Sequence, residues 1–317
     1  MIGADTLTPT QRETLALLGR RGDPVVFDAA FVAELRDDFE TGLGELAERV
    51  GEPSGDRAEL VVTKRSIDSV LACEAAWAAP DDFAWSPATA RGTIAHRAIQ
   101  LSVHWPAEPV PATLVEEAIA RVIDEERGIG EWLADCDPAD HADLRSRTVE
   151  HVTKFLECFP PLDRTWRPVT EARASFPPSG PIALRAQVDL MIGPPRGNES
   201  TKVIVDVKTG RPHPRHRHDL RFYALVETLT RRLPPRLLAT YSLDSGTAET
   251  EVVTEALLRS TLRRTLDAID RMVEVRFEDR EPSRSPGVAC RWCPLRAECA
   301  EGRAHLAAVD DPDGDEP

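Results

Sequence analysis

Asp189, Asp206 and Lys208 stand out because each interrupts a short apolar run. PIALRAQVDLMIG (181–193) and TKVIVDVKTG (201–210) read as two β-strands joined by a Pro/Gly/Asn turn over 193–198. Strand side chains alternate between faces. Arg185, Gln187 and Asp189 therefore share one face, and Leu184, Val188 and Leu190 the other. Asp206 and Lys208 are two apart and also point the same way. A carboxylate and an ammonium projecting together from a Val/Ile strand are costly to bury without partners. Two carboxylates on adjacent strands beside a lysine form a set that holds a hard divalent cation and a water against a phosphate.

Upstream, RGTIAHRAIQLSVH (91–104) reads as a helix with Gly92 and His96 one turn apart on one side. On its own that pair suits a packed glycine and a satisfied core histidine. With Asp189 and Asp206-Val207-Lys208 following in order, the pattern resembles the PD-(D/E)XK nuclease superfamily and its RecB-like members. The resemblance implies a restriction-endonuclease-like α/β fold, with a mixed central sheet flanked by helices. It also implies roles. His96, Asp189, Asp206 and the backbone carbonyl of Val207 would bind Mg²⁺ or Mn²⁺, and Lys208 would orient or deprotonate the attacking water. Glu171, in TWRPVTEARASF (165–176, read as the first strand of the sheet), matches a supporting carboxylate, although an exposed strand Glu fits as well. Tyr223 matches the tyrosine of a Gln-x-x-x-Tyr helix, but Asp219 stands where that motif has glutamine and reads instead as a helix cap.

The second constellation is GVACRWCPLRAECAEG. Cys290, Cys293 and Cys299 follow Cys-x₂-Cys-x₅-Cys, too dense for a chance core arrangement. Four thiolates need one further ligand, and Cys73 is the candidate. Alone, a helical cysteine is more often a small core residue. One distant cysteine and three clustered ones resemble the iron–sulfur nucleases of the same superfamily, the AddB-type repair and CRISPR-adaptation enzymes, and so imply a [4Fe–4S] cluster. Structural Zn²⁺ also takes four thiolates. Cys136 and Cys158 lack ligand spacing and read as structural.

The elements that must position these residues follow from periodicity. Residues 1–58 read as an N-terminal helical segment and 59–303 as the nuclease domain. That domain includes a helical insertion over about 107–160, broken at Gly128 and Pro138, and a cluster-binding part over about 286–303. Ser66 is the expected cap of the helix that carries Cys73. Residues 235–254 read as a hairpin turning at 244–247, followed by a long helix, and 304–317 as an acidic, disordered tail. The loop and helix from 211 carry Arg215, Arg217 and Arg221 with His213, His216 and His218, a candidate phosphate-contacting group. A histidine metal site there is the alternative, though histidines in a Pro-containing loop are more often solvated.

The chain of 317 residues is 41% hydrophobic and 29% charged, ordinary for a globular protein, and carries a net charge of −15. That charge argues against a generally basic nucleic-acid coat but permits a local Arg-lined cleft. No apolar run approaches a membrane span, the N-terminus lacks a signal-peptide layout, and a cytoplasmic location is expected. No Walker-type phosphate loop is present, so ATP-driven unwinding would come from a helicase or other protein partner. The expected activity is hydrolysis of DNA phosphodiester bonds, as an exonuclease on single strands or ends, in repair, recombination or phage defence. A catalytically silent nucleic-acid-binding or assembly module held by the Cys₄ site is the alternative.

Overall fold

The computed structural model describes residues 7–20, 22–53, 55, 57–80, 83–125, 127–210 and 215–310. The chain forms two compact units: Met1–Val32 with Ala84–Ala174 and Ala186–Leu258, and Ala33–Phe83 with Ser175–Arg185 and Arg259–Pro317.

The first unit holds most of a mixed sheet. Strands β3 (Ile182–Ile192) and β4 (Val203–Lys208) are antiparallel, with Ile192 opposite Val203 and Leu190 opposite Val205. Strand β4 runs parallel to β5 (Leu237–Ser242), and β5 is antiparallel to β6 (Thr247–Val252). Strand β2 (Val169–Phe176) pairs with β3. The expected alternation along β3 is present: Leu184, Val188 and Leu190 are buried, while Arg185 and Gln187 are exposed. Strand β4 is buried almost throughout, as a central strand covered on both faces must be.

Its Val203, Val205 and Val207 join Leu190, Ile192 and Tyr241 in one core, covered by Leu18 of α1 (Pro9–Leu18), Ala95 and Ile99 of α5 (Pro87–Val103), and Phe155 of α8 (Pro138–Cys158). Helix α9 (Arg215–Arg231) packs against β4 and β5. The expected helical insertion comprises α6 (Pro111–Glu125), α7 (Arg127–Asp135) and α8, which share an aliphatic core with α5. Pro138 opens α8 at its first position, where the missing N–H costs nothing. Gly128, in contrast, lies inside α7 rather than at a break.

The second unit contains most of α2 (Ala29–Val50) and α10 (Glu255–Phe277), together with the short helices α3 (Lys64–Ala72) and α4 (Glu74–Ala78) and the last helix α11 (Ala300–Asp310). A three-residue strand, β1 (Leu60–Val62), pairs in parallel with Ile182–Leu184. It is too short to carry an alternation signal. Thr63, not Ser66, caps α3. The Thr63 hydroxyl accepts from Ser66 N–H, and Ser66 at the third helical position reaches back to Thr63 N–H, a reciprocal capping box. The tail expected to be disordered from 304 is helical through Asp310; residues 311–317 lie outside the described residues.

Candidate metal and nuclease site

The site is built within the first unit, where β3 and β4 part. Their ladder ends at Leu190 opposite Val205. Beyond it, the Asp189 side chain takes the place of a backbone acceptor: Oδ2 accepts the Val207 N–H at 2.7 Å. The other oxygen, Oδ1, faces His96 Nδ1 at 3.4 Å. His96 projects from α5, which Ala95 and Ile99 anchor in the core. Gly92, one turn earlier, faces the residue after Lys208. A Cβ there would stand 3.7 Å from Thr209 Oγ1, an ordinary contact, so closeness alone does not demand glycine.

Glu171 Oε1 lies 4.0 Å from His96 Nδ1, and its other oxygen accepts from the Gln187 side-chain amide. Glu171 has φ of 51°, a left-handed conformation uncommon for any residue but glycine. Backbone strain of this kind persists where the surroundings over-determine a residue, often at functional sites. Among the described residues, His96, Glu171 and Asp189 are the group whose ligand atoms all lie within 4.8 Å of one another. Two carboxylates and one imidazole, each partly open to solvent, suit a hard or borderline divalent cation.

Asp206 lies deeper. It is wholly buried on β4, and its carboxylate meets Lys208 Nζ at 2.8 Å. Lys208 ends the strand and is half-buried. The shared face predicted for these two residues is thus present. Tyr223 of α9 is buried and lines the same cavity, about 550 Å³, as Gly92, His96 and Asp189.

The charges bias one another. Burial opposes protonation of His96, but the Asp189, Glu171 and Asp206 carboxylates outweigh it and raise its pKa above the ordinary imidazole value. Burial pushes Asp189 up, yet His96, Lys208 and the Val207 N–H prevail and hold it below the usual carboxylate range. Glu171 is raised, first by burial and then by Asp189, against the Gln187 bond. Two carboxylates in one pocket are thereby driven apart in acidity.

Two groups had no assigned role in the sequence. Gln187 orients Glu171, and Arg173 lines the cavity two residues along β2 from Glu171. The period of two that aligned Arg185, Gln187 and Asp189 was the signal for Gln187, and the same period along β2 sets Arg173 two residues from Glu171. The cationic set after Lys208 is partly spent elsewhere: Arg217 faces Glu249 at 3.7 Å and Arg221 pairs with Glu251, both on β6. His213 lies outside the described residues, and His216 and His218 sit in the first turn of α9. Asp219 lies within α9, not at its start, so it is not the cap.

In the second unit Cys73 ends α3, Cys290 lies in the 3₁₀ turn Val288–Trp292, Cys293 follows it, and Cys299 precedes α11. All four thiols line one small space. Gly302 N–H donates to Cys299 Sγ at 3.3 Å, and Gly287 N–H to Cys290 Sγ at 3.4 Å. A Cβ on Gly302 would stand 3.4 Å from both of those sulfurs. Four cysteines around one space, two of them accepting a backbone N–H at sulfur, are a donor set suited to a thiolate-bound metal or cluster. Cys73 is set by its neighbour: the buried Glu74 carboxylate takes both forks of Arg280 at 2.8 and 2.9 Å and the Ser283 N–H at 2.8 Å.

A family model described as the PD-(D/E)XK nuclease superfamily matches residues 64–300. A solved structure, the crystal structure of SSO0001, is similar over 83% of this chain and 96% of its own, at 14% identity and a TM-score of 0.33. No curated protein sequence matches. The matched span takes in His96, Glu171, the Asp189–Val207 junction and the Asp206/Lys208 pair, and with that set in place the chain belongs to the PD-(D/E)XK nuclease superfamily.

Proposed function

We propose that the chain is a Mg²⁺- or Mn²⁺-dependent deoxyribonuclease of the RecB-like, iron–sulfur group, acting on single strands or DNA ends. The observation that carries this reading is the junction at Asp189. One carboxylate ties the His96/Glu171 pocket to the backbone of the strand that presents Asp206 and Lys208. His96, Asp189, Asp206 and the Val207 carbonyl would hold the cation, with Glu171 in support. When bound, the cation supplies neutralisation of the charge that builds on the scissile phosphate. Asp206 pairs with the Lys208 side chain, which would orient or deprotonate the attacking water. The new P–O bond forms from that water, the bond to the leaving sugar oxygen breaks, and solvent protonates that oxygen. Tyr223 and Arg173 line the space the strand would enter.

Cys73, Cys290, Cys293 and Cys299 would hold a [4Fe–4S] cluster, a staple between distant stretches of the chain. The setting is DNA repair, recombination or phage defence, with unwinding left to a partner. A simple experiment tests the reading. End-labelled single-stranded DNA is incubated with Mg²⁺ or Mn²⁺ and protein, and cleavage should fall at least about a hundredfold in Asp206→Asn and Lys208→Ala at unchanged melting temperature. Variants that cut like the parent remove the assignment. Bound iron with visible charge-transfer absorbance supports the cluster, and colourless protein with stoichiometric zinc refutes it.

A further inference from the structure

A second cavity lies in the first unit, at the end of β3–β4 opposite the carboxylates. It opens at the Ile192–Val203 pair, whereas Lys208 stands five residues further along β4, about 16 Å away at strand spacing. Its volume, about 330 Å³, is that of a small-ligand pocket. Leu15 and Leu18 of α1 with Ile192 and Val203 form aliphatic walls, and Trp166 supplies an aromatic one. That indole packs against the core while bordering the cavity, so it is a fixed surface rather than a mobile flap.

The charge of this pocket is out of keeping with the molecule. The chain has a net charge of −15, yet the lining carries Arg20, Arg196 and Arg236 against a single carboxylate, Glu199. Glu199 is already engaged by Arg20 at 2.6 Å. Arg236 donates to the Leu18 and Gly19 carbonyls at the end of α1, and the carboxylate that bears on its charge is Glu199, which Arg20 already engages. Burial and the nearby Arg20 push the pKa of Arg236 down by more than Glu199 raises it. No acceptor among the described residues takes the Arg196 guanidinium, which sits on the exposed turn after β3.

We infer that this cavity binds a nucleoside monophosphate, its base stacked on Trp166 and its phosphate held by Arg196 with Arg20 and Arg236. Guanidinium forks match phosphate oxygens in geometry and charge, and an indole face stacks on any base. A bare phosphate would leave the apolar walls unused, and an uncharged aromatic would leave the arginines unmatched. The nucleotide could arrive free or as the phosphorylated end of a strand. The inference does not depend on the cleavage reading, because none of these residues belongs to the catalytic set.

The test is calorimetric titration of the full chain, in EDTA so that the carboxylate site holds no cation, with deoxyadenosine 5′-monophosphate, deoxyadenosine and inorganic phosphate. The monophosphate should bind in the micromolar range, with the other two at least about tenfold weaker. Arg196→Ala should weaken it about tenfold and Trp166→Leu comparably. Because Trp166 touches the core, Arg196→Ala and Arg196→Glu, on the exposed turn, keep the question answerable if the tryptophan variant fails to fold. Absence of binding at millimolar nucleotide overturns the proposal. So does affinity unmoved by both Arg196 variants, or inorganic phosphate that binds as tightly as the nucleotide. A 3′-fluorescent oligonucleotide with a 5′-phosphate or a 5′-hydroxyl separates the sources. An Arg196-dependent preference for the phosphorylated strand assigns the pocket to strand ends, and its absence, with the mononucleotide still bound, to free nucleotides.

Discussion

Replacing Glu74 by glutamine should cost the second unit about 2 kcal/mol at neutral pH, and that cost should vanish in acid. Glu74 is buried and accepts three bonds, two from Arg280 and one from Ser283 N–H. Chiefly through Arg280, these lower its pKa from 4.5 to about 2. A depression of that size corresponds to about 3.4 kcal/mol at roughly 1.36 kcal/mol for each tenfold change. Arg280 is 35% exposed, so solvent screening reduces the figure to about 2 kcal/mol. The sign follows from the direction of the shift. A carboxylate acidified by folding contributes its full stability above its unfolded pKa of 4.5, and loses it as pH falls toward about 2. At pH 7.5 the Glu74→Gln variant should unfold at about 0.7 M less urea, for a slope of about 3 kcal/mol/M. At pH 3, still about one unit above the folded pKa, somewhat more than half of the gap between the two proteins should be closed. Taking the difference at each pH cancels whatever acid does to the thiols, which are common to both. A gap that stays constant from pH 7.5 to 3, or no gap at all, refutes the clamp.

Three other outcomes follow from the geometry. Gly246→Ala should lower stability by about 2–3 kcal/mol by thermal melting, because φ is 69° there and a Cβ would stand 2.9 Å from Cys158 Sγ. A loss under about 0.5 kcal/mol would mean the hairpin turn rearranges freely. Arg173→Ala should raise KM for DNA several-fold with kcat nearly unchanged, as expected of a cavity-lining guanidinium that meets phosphate outside the reacting group. A selective fall in kcat would instead move it into the chemistry. Glu171→Gln should weaken Mn²⁺ binding, read by calorimetry, about tenfold or more, since it removes one of three clustered ligand groups; unaltered affinity would remove Glu171 from the cation site.

The sheet and the Asp189/Asp206/Lys208 geometry were legible because strand alternation is local: two apolar runs broken by charges fix which side chains share a face. The hairpin of β5 and β6 was legible for the same reason. Pairing across long stretches of chain was not. Arg217 and Arg221 look like phosphate contacts in sequence, but their carboxylates lie on β6, about thirty residues on, as the Arg221–Glu251 separation of 30 illustrates. Strand β1 was invisible because three residues cannot display a period. Asp219 misled because helix propensity upstream of it was hidden by a run of Pro, His and Arg. Glu171 was visible as a residue type in the right order, but its left-handed backbone has no sequence signature in a Val-Thr-Glu-Ala context.

The hydrogen bond from the Val207 amide to Asp189 ties the end of β4 to a carboxylate that borders the pocket. A carboxylate that accepts strongly from that amide tightens the strand tip and so fixes the lysine that follows it. An amide side chain in its place, as in Asp189→Asn, would loosen both, and faster hydrogen exchange at Val207 would report it without any catalytic assay. The Val207 amide proton would in this way report the order of the strand end that carries the lysine.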